Sequence, residues 1–378
     1  MLDLTSLMYA IILGFGIFGL DAAWNAGTIK TEFHVSEALG SAGIRPEFAT
    51  AVFSRELQEV FSVPSLVRPP TVRSSHDKTF VSIMAESVGL RDATAAFQDL
   101  FGLHPVKITA TLTTENAQPR LEVISEGGLH GTFYLALDGR VGEPAVTLLR
   151  RGAIDVAARL DSYHTALFLL DPPEGAPDVA KARRVLDAAI AAQTPTRINV
   201  TRGRFHNLRG IVALLEDDKT AAATHFEQSI TDDPSLVAAH LNLAFTRVEQ
   251  DRYADAAMIA RHVLDVHQRG LPPALLSSIH SINGVVAWTQ KKYQEAETHF
   301  ASAVAAVPAA TEAYIYWGRM LVEMGRAEEG RKKIRQGEAN QAAFDNFAEV
   351  AMLYFWLTDK DDTPLTRRPR GNGGIAMK

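Results

Sequence analysis

Cysteine is absent from the 378-residue sequence, and its absence excludes several kinds of site. Without thiols the chain forms no disulfide bonds, no thiolate zinc sites and no cysteine nucleophile. Positive charge is not in excess either, because 38 Lys and Arg stand against 44 Asp and Glu and give a formal net charge of −6. Nucleic-acid-binding domains normally carry a basic surface. We therefore expect no nucleic-acid partner.

The motifs of common catalytic sites are lacking as well. The sequence has no GxSxG, no GxxxxGK[ST] phosphate loop, no HExxH and no EF-hand calcium loop. Acidic pairs occur at 217–218, 232–233 and 328–329, but helix caps and first helical turns favour acidic side chains for structural reasons. We therefore predict no catalytic residue, no cofactor and no bound metal, and we expect that the protein is not an enzyme.

A long uncharged run lies near the N-terminus. Residues 4–20, LTSLMYAIILGFGIFGL, carry no charge, and residues 22–24 extend the apolar stretch. This length is at the lower limit for crossing about 30 Å of hydrocarbon. We predict a transmembrane anchor helix over 4–24, which would make the chain a single-pass protein of the inner (cytoplasmic) membrane. A cleaved signal peptide and a buried segment of a soluble fold are the alternatives.

Three glycines in this run, Gly14, Gly16 and Gly19, match the GxGxxG pattern of dinucleotide-binding turns. Such a turn must lead into a helix, yet residues 25–27, Asn-Ala-Gly, interrupt the sequence soon afterwards. Glycines at these spacings also allow transmembrane helices to pack closely. We favour the membrane explanation over nucleotide binding.

The C-terminal half contains a repeated pattern of small and aromatic residues. Gly210, Ala244, Gly284 and Gly318 occupy matching places in four segments. The interval from Gly210 to Ala244 equals that from Gly284 to Gly318, whereas the interval between Ala244 and Gly284 is longer because it contains an extra loop with Gly and Pro. Further matching positions are Ala222, Ala256 and Ala296, then Phe226 and Phe300, then Pro234 and Pro308.

A period of about 34 residues with these side chains resembles the tetratricopeptide repeat. The resemblance covers 201–340 and implies antiparallel helix pairs that stack into a superhelix. The small residues would let the two helices of a pair approach closely, and the prolines would end the second helix. We expect a helical linker or a degenerate repeat over 143–200, a capping helix over 341–358 and a disordered tail over 359–378.

Residues 30–142 are predicted to form a small α+β domain. The predicted order is strand, helix, strand, helix and three strands, with the Pro- and Ser-rich segment 62–76 as a loop, a strand at 77–85 and a helix at 90–102. At fold level this order resembles small α+β modules of bacterial envelope proteins. The predicted fold class is thus α+β, with an N-terminal transmembrane helix and a C-terminal all-α superhelix. Apolar residues expected to face its core are Phe53, Leu57, Val60, Phe61, Val106, Ile108, Ala110, Leu112, Leu121, Val123, Phe133, Leu135 and Leu137.

Histidines recur at matching positions of the repeats. His206, His240 and His280 each precede the small residue by four positions, and His225 and His299 each precede the repeated phenylalanine. Equivalent positions in neighbouring repeats lie about 10 Å apart, which is too far for one metal ion bound at about 2.1 Å. We expect these histidines to fill places that usually hold a larger ring. A pH-sensitive contact and metal binding are the alternatives.

The resemblance implies that the first helices of the repeats line a concave surface for an extended or helical peptide. Co-chaperone members of the family bind a C-terminal carboxylate with a polar set that only Asn242 matches here. We predict instead an apolar groove in which asparagines hold the ligand backbone and Trp288 is an anchor. The predicted groove residues are Asn207, Ile211, Leu241, Asn242, Phe245, Val285, Trp288, Ile315 and Arg319.

These features predict a membrane-anchored, non-enzymatic scaffold that binds a protein or peptide partner through its repeats. The envelope resemblance favours a periplasmic soluble part, whereas Lys30 on its own favours the cytoplasmic side. One alternative is an enzyme or ligand-binding protein with its site in 30–142 and repeats that recruit partners. Another is a component of a signalling system. Polar residues that would line the alternative site are Glu32, His34, Arg55, Glu56 and His76.

Overall fold

The computed structural model shows two compact units, the first formed by residues 1–63 and 68–165 and the second by residues 64–67 and 166–378. The first unit contains a mixed sheet with helices, and the second consists of helical hairpins. The described residues are 28–63, 65, 71–74, 105–127, 131–172, 176–194, 198–266 and 271–340.

The first unit is built on a five-stranded sheet with the strand order β2-β1-β3-β4-β5. Strand β1 pairs in parallel with β2 and β3, whereas β4 is antiparallel to both β3 and β5. The elements are β1 (Thr28–Val35), α1 (Glu37–Ser41), α2 (Pro46–Phe61), β2 (Thr71–Ser74), β3 (Val106–Glu115), β4 (Gln118–Glu126), β5 (Phe133–Asp138) and α3 (Ala145–Leu160).

Helices α2 and α3 pack side by side against one face of this sheet. Alternation along β1 places Thr31 and Phe33 on the helix side, where Phe33 meets Phe53 of α2 with ring centroids 5.1 Å apart. Thr31 and Ser54 share a hydrogen bond of 2.7 Å between their hydroxyl groups. The predicted inward-facing residues of β3 and β4 are buried, so the predicted alternation is confirmed there.

The opposite face of the sheet carries charged side chains. Lys107 on β3 lies 3.6 Å from Glu32 on β1. Arg120 on β4 contacts Glu115, Glu122 and Asp138 at 3.1–3.2 Å. Such exposed pairs contribute little stability, but they keep this face soluble and distinct from the apolar face under the helices.

Strand β2 corrects one prediction. It lies inside the segment 62–76, which the sequence predicts as a loop because it is rich in Pro and Ser. Thr28 of β1 is in register with Thr71 at the start of β2. Proline is compatible with the beginning of an edge strand, so Pro70 does not exclude a strand that starts at the next residue. The predicted strand at 77–85 and the predicted helix at 90–102 lie outside the described residues.

The second unit contains four consecutive antiparallel hairpins, α6–α7, α8–α9, α10–α11 and α12–α13. Side-chain caps begin several of these helices: Asn199 accepts from the backbone of Arg202 at 2.9 Å, and Asp218 accepts from Ala221 at 2.8 Å. The bounds are α4 (Ser162–Leu170), α5 (Val179–Ala192), α6 (Val200–Leu215), α7 (Lys219–Asp232), α8 (Val237–Glu249), α9 (Tyr253–Val266), α10 (Pro273–Thr289), α11 (Tyr293–Ala306), α12 (Thr311–Glu323) and α13 (Ala327–Asn340).

The hairpins stack in chain order. The first helix of each hairpin contacts the first helix of the next, so α6, α8, α10 and α12 form an inner layer. The second helix of each hairpin also packs on the first helix of the following one. Helix α5 packs on α6 and so precedes the first hairpin. This pattern of neighbour contacts is that of a solenoid.

No helix within the described ranges combines the length and hydrophobicity that a membrane span requires. The predicted span at 4–24 lies outside the described residues. The predicted capping helix at 341–358 and the predicted tail at 359–378 also lie outside them.

Candidate functional site

Close approach of the two helices within a hairpin sets the geometry of the inner layer. A Cβ added to Gly210 would lie 2.4 Å from Cε1 of Phe226, and one added to Gly284 would lie 2.6 Å from Cε1 of Phe300. Both phenylalanine side chains are fully buried. Glycine therefore leaves the space that the ring of the second helix occupies, which confirms the role predicted for these small residues.

The fourth hairpin uses a different contact. A Cβ on Gly318 would lie 2.6 Å from the carbonyl oxygen of Gly330, and a Cβ on Gly330 would lie 2.5 Å from the carbonyl oxygen of Gly318. The backbones of α12 and α13 thus meet directly. Gly330 stands at the position of Ala222, Ala256 and Ala296, and without a side chain there it meets Gly318, the small residue of the first helix.

The turn inside each hairpin has the same conformation. Asp217, Asp251, Lys291 and Gly325 have φ between 59° and 84°, in the left-handed region. Each of them lies at the same distance along the chain after the small residue of its own hairpin. In each turn the next residue donates its backbone N–H to the carbonyl five positions earlier, at 2.7–2.9 Å. This bond is the mark of a Schellman motif, which ends the first helix and reverses the chain.

Most of the predicted groove residues are inaccessible. Trp288 and Arg319 are partly exposed, but the other seven have at most 4% of their surface exposed. A side chain without accessible surface does not contact a partner in this conformation. Repeat consensus assigns a position to a helix face, but it does not tell whether that face is covered. The seven buried residues are Asn207, Ile211, Leu241, Asn242, Phe245, Val285 and Ile315.

Contacts of these buried residues lie within the array. Asn242 donates from Nδ2 to Oδ1 of Asn207 at 2.8 Å, which joins α8 to α6. A Cβ on Gly337 would lie 3.0 Å from Cγ1 of Ile315, so Ile315 packs against α13 of its own hairpin. Leu241 and Val285 belong to one apolar cluster, and Trp288 packs at its edge.

Trp288 is held at the surface of the inner layer. Its Nε1 donates to Oε2 of Glu323 at 2.9 Å, which bridges α10 and α12. The hydroxyl group of Tyr293 donates to Oε1 of the same carboxylate at 3.4 Å. Arg319 precedes Glu323 by one helical turn and therefore lies on the same side of α12. We call Trp288, Tyr293, Arg319 and Glu323 the Trp288 surface.

Three histidine pairs join the two helices of their hairpins. His206 and His225 have Nδ1 atoms 3.2 Å apart, and His280 and His299 have Nδ1 atoms 3.4 Å apart. The ring centroids of His240 and His262 are 5.8 Å apart. Sequence reasoning compared equivalent histidines of neighbouring repeats and missed these pairs. The signal that could have revealed them is the equal spacing of the two histidines along the chain in the first and third hairpins.

Burial keeps the imidazoles of two pairs neutral. It lowers the pKa of His206 to about 4, with a further lowering by His225 and an opposing effect of Asp232. Burial also lowers the pKa of His280 and of His299. A neutral imidazole has one N–H and one acceptor nitrogen, so in each of these pairs one Nδ1 donates a hydrogen bond to the other Nδ1.

The burial of one acidic side chain, Glu312, was not predicted from the sequence. Glu312, in the first turn of α12, is 4% exposed, and its Oε2 accepts no hydrogen bond within the part of the chain that the structure describes. Burial raises its pKa. Burial and the nearby Glu312 raise the pKa of Tyr316 as well. An acidic residue in a first helical turn is normally a solvent-exposed complement to the helix dipole, so the sequence gives no sign of this burial.

The alternative site in the first unit is not assembled by its described residues. Glu32 and His34 lie on the charged face of the sheet, because they alternate with Thr31 and Phe33. Glu56 lies on α2 on the opposite face, where it is 3.9 Å from Arg150 of α3. Arg55 is exposed on α2, and His76 lies outside the described residues. The structure therefore does not bring Glu32 and His34 together with Arg55 and Glu56.

No protein-family model matches the chain, and no curated protein matches it either. A crystal structure of MamA is similar with a TM-score of 0.33 and 13% identity, and the match covers 44% of this chain and 90% of that one. A tetratricopeptide repeat protein from Parabacteroides merdae is similar with a TM-score of 0.40 and 13% identity, over 52% of this chain and 74% of that one. These scores describe a distant likeness in fold and support no functional argument.

The assignment of the second unit therefore rests on its own geometry. Its four hairpins are stacked in order, recur at an even spacing apart from one loop insertion, and turn through equivalent left-handed residues. Glycine and phenylalanine meet in the first and third hairpins as the repeat pattern requires. Residues 200–340 form a tetratricopeptide-like repeat array.

Proposed function

We propose that the protein is a non-enzymatic scaffold whose repeat array binds a partner protein or peptide at the Trp288 surface. The supporting observation is the placement of a partly exposed tryptophan on the inner layer of a stacked helical array. Trp, Tyr and Arg are the residues that most often dominate binding free energy at protein interfaces. All three are present in the Trp288 surface.

The side chains of this surface indicate which groups a partner must present. The indole ring of Trp288 offers apolar area, while Arg319 and Glu323 add charges of both signs beside it. The hydrogen bond to Glu323 fixes the ring orientation, so less side-chain freedom is lost when a partner binds. An apolar anchor flanked by polar or charged groups is the complementary ligand. The buried asparagines and aliphatic residues of the predicted groove would support this surface from below.

Substitution of Trp288 tests the proposal. Trp288→Ala in the full-length chain is expected to weaken partner binding about 30-fold or more, because the loss of an anchoring tryptophan costs about 2 kcal/mol or more. Proteins captured from the cell extract are quantified by mass spectrometry for the wild type and the variant. Met258→Ala is the matched control, because Met258 is 64% exposed on α9, a second helix.

Proteins that are lost with Trp288→Ala and retained with Met258→Ala support the proposal. Capture that is unaffected by Trp288→Ala, or no capture above background, contradicts it. Circular dichroism and thermal melting of both variants establish that the array is intact.

We also propose that residues 4–24 attach the scaffold to the inner membrane, with the soluble part in the periplasm. The uncharged run in this segment supports the proposal. Deletion of residues 1–24 is expected to move the chain from the membrane pellet to the soluble fraction.

A phosphatase that is active only outside the cytoplasm, fused to the C-terminus, reports the side of the membrane on which the soluble part lies. Activity is expected in the full-length fusion. Unchanged sedimentation after the deletion rejects the anchor, and an inactive fusion rejects the periplasmic side.

A further inference from the structure

The histidine pair of the third hairpin has the geometry of two ligands on one metal ion. His280 on α10 and His299 on α11 face each other with Nδ1 atoms 3.4 Å apart and ring centroids 5.7 Å apart. In a tetrahedral zinc site with Zn–N distances of about 2.0–2.1 Å, two ligand nitrogens are about 3.3–3.4 Å apart. These two Nδ1 atoms share a hydrogen bond in the structure. A metal ion would replace that bond, and the rings would need little movement to bind it between them.

Metal binding uses the lone pair of each Nδ1, so both rings must carry their proton on Nε2. The charged group that faces His299 is Glu295, and the group that faces His280 is His299 itself.

Glu295 is placed to become a third ligand. It precedes His299 by four residues on α11, so both side chains lie on the same face of the helix. Its carboxylate is 3.8 Å from Nζ of Lys292, and both side chains are more than half exposed. An exposed pair of this kind holds the carboxylate weakly. No three His, Asp or Glu side chains of the described residues already surround a common metal position, so Glu295 must turn from Lys292 towards the rings.

We propose that His280, His299 and Glu295 form a binding site for a divalent transition metal of the zinc class, with water in the remaining position. Imidazole nitrogen and carboxylate oxygen are ligands that Zn²⁺ and Co²⁺ accept. Bound metal would link α10 to α11 across the hairpin. The site is independent of the proposed partner binding, because it uses none of the residues of the Trp288 surface.

The other two pairs provide internal comparisons. His206 and His225 have the same ring geometry, but Ala221 occupies the place that corresponds to Glu295. Asp232 lies 3.8 Å from Nε2 of His206, but its carboxylate is already paired with Arg202 at 3.2 Å. In the second hairpin, Nε2 of His240 is 3.0 Å from the carbonyl oxygen of Pro234. We therefore expect the third hairpin to bind metal most tightly.

Cobalt titration of the untagged full-length protein, treated first with a chelator, tests the site. Co²⁺ is expected to give visible d–d absorption that saturates, and Zn²⁺ is expected to displace it. His299→Gln and Glu295→Gln should each weaken binding at least about ten-fold. Their matched control is His262→Gln, which should leave the titration unchanged. Added Zn²⁺ should raise the melting temperature of the wild type but not that of His299→Gln.

A gain-of-function variant distinguishes the loss of a metal ligand from the loss of folding. Ala221→Glu gives the first hairpin a carboxylate at the position of Glu295 and is expected to add a second saturable phase to the titration. Far-UV circular dichroism of each metal-free variant must match that of the wild type. The proposal is overturned if the wild type does not bind Co²⁺, or if folded His299→Gln and Glu295→Gln bind it as tightly as the wild type.

Discussion

Phe300→Ala is expected to lower the free energy of unfolding of the repeat array by about 3–5 kcal/mol. The Phe300 side chain is completely buried, lies over Gly284 of the same hairpin, and stacks on Tyr316 of the next hairpin with centroids 6.4 Å apart. Removal of the ring leaves a cavity inside the third hairpin and also removes the contact between the third and fourth hairpins. Because Gly284 has no side chain, it cannot move into that cavity.

Chemical denaturation followed by far-UV circular dichroism measures this effect in the full-length chain. Met258→Ala is the control on a neighbouring second helix, and its change should stay within about 0.5 kcal/mol because Met258 is mostly exposed. A repeat array need not unfold in one step, so the transition assigned to the array must be fitted separately. A Phe300→Ala change no larger than that of the control would show that the ring is not a structural element of the array.

Gly330→Ala is expected to destabilise the fourth hairpin by about 3 kcal/mol. The new Cβ would lie 2.5 Å from the carbonyl oxygen of Gly318 and 2.6 Å from Cγ2 of Val322. A side-chain neighbour can rotate away, but the carbonyl oxygen belongs to the backbone of α12. The two helices must therefore separate, and overpacking of this kind costs about 1–3 kcal/mol or more.

Thermal melting and amide hydrogen exchange measure this second effect. Exchange should increase in α12 and α13 and change little in α6 and α7, since contacts in a solenoid are between neighbours. Gly40→Ala is the control: a Cβ at this helical glycine meets nothing within 4 Å, so alanine should be neutral or slightly stabilising. Equal exchange in α12 and α13 of wild type and Gly330→Ala would refute the tight backbone contact.

The sequence was sufficient to predict the features that depend on local spacing. The recurrence of a small residue at Gly210 and Ala244 predicts helical hairpins, and hairpins are present there. Alternation from Val106 to Leu112 predicts a strand with one buried face, and β3 has that face. Both predictions succeed because periodicity follows directly from the geometry of helices and strands.

Features that depend on distant contacts were not predictable in this way. The burial of Asn242 arises from neighbouring helices, and its hydrogen-bond partner Asn207 lies on the preceding hairpin. Strand β2 is paired with β1, although two helices separate the two strands in the chain, and the composition of β2 and its surroundings is that of a loop. Spacing within one element carries no information on any of these contacts.

The left-handed residue in each hairpin turn determines how the array could change in length. One residue inserted beside Lys291 would break the backbone hydrogen bond from Lys292 to Ala287 that closes the turn, and it would shift Phe300 away from Gly284. The misplaced helix would disturb its own hairpin and the contacts with the two neighbouring hairpins, while the remaining hairpins would keep their own turns. Duplication of a complete hairpin leaves the orientation of every helix about its axis unchanged. Growth by whole units is therefore tolerated where growth by single residues is not, and the reach of such a protein would evolve in discrete steps.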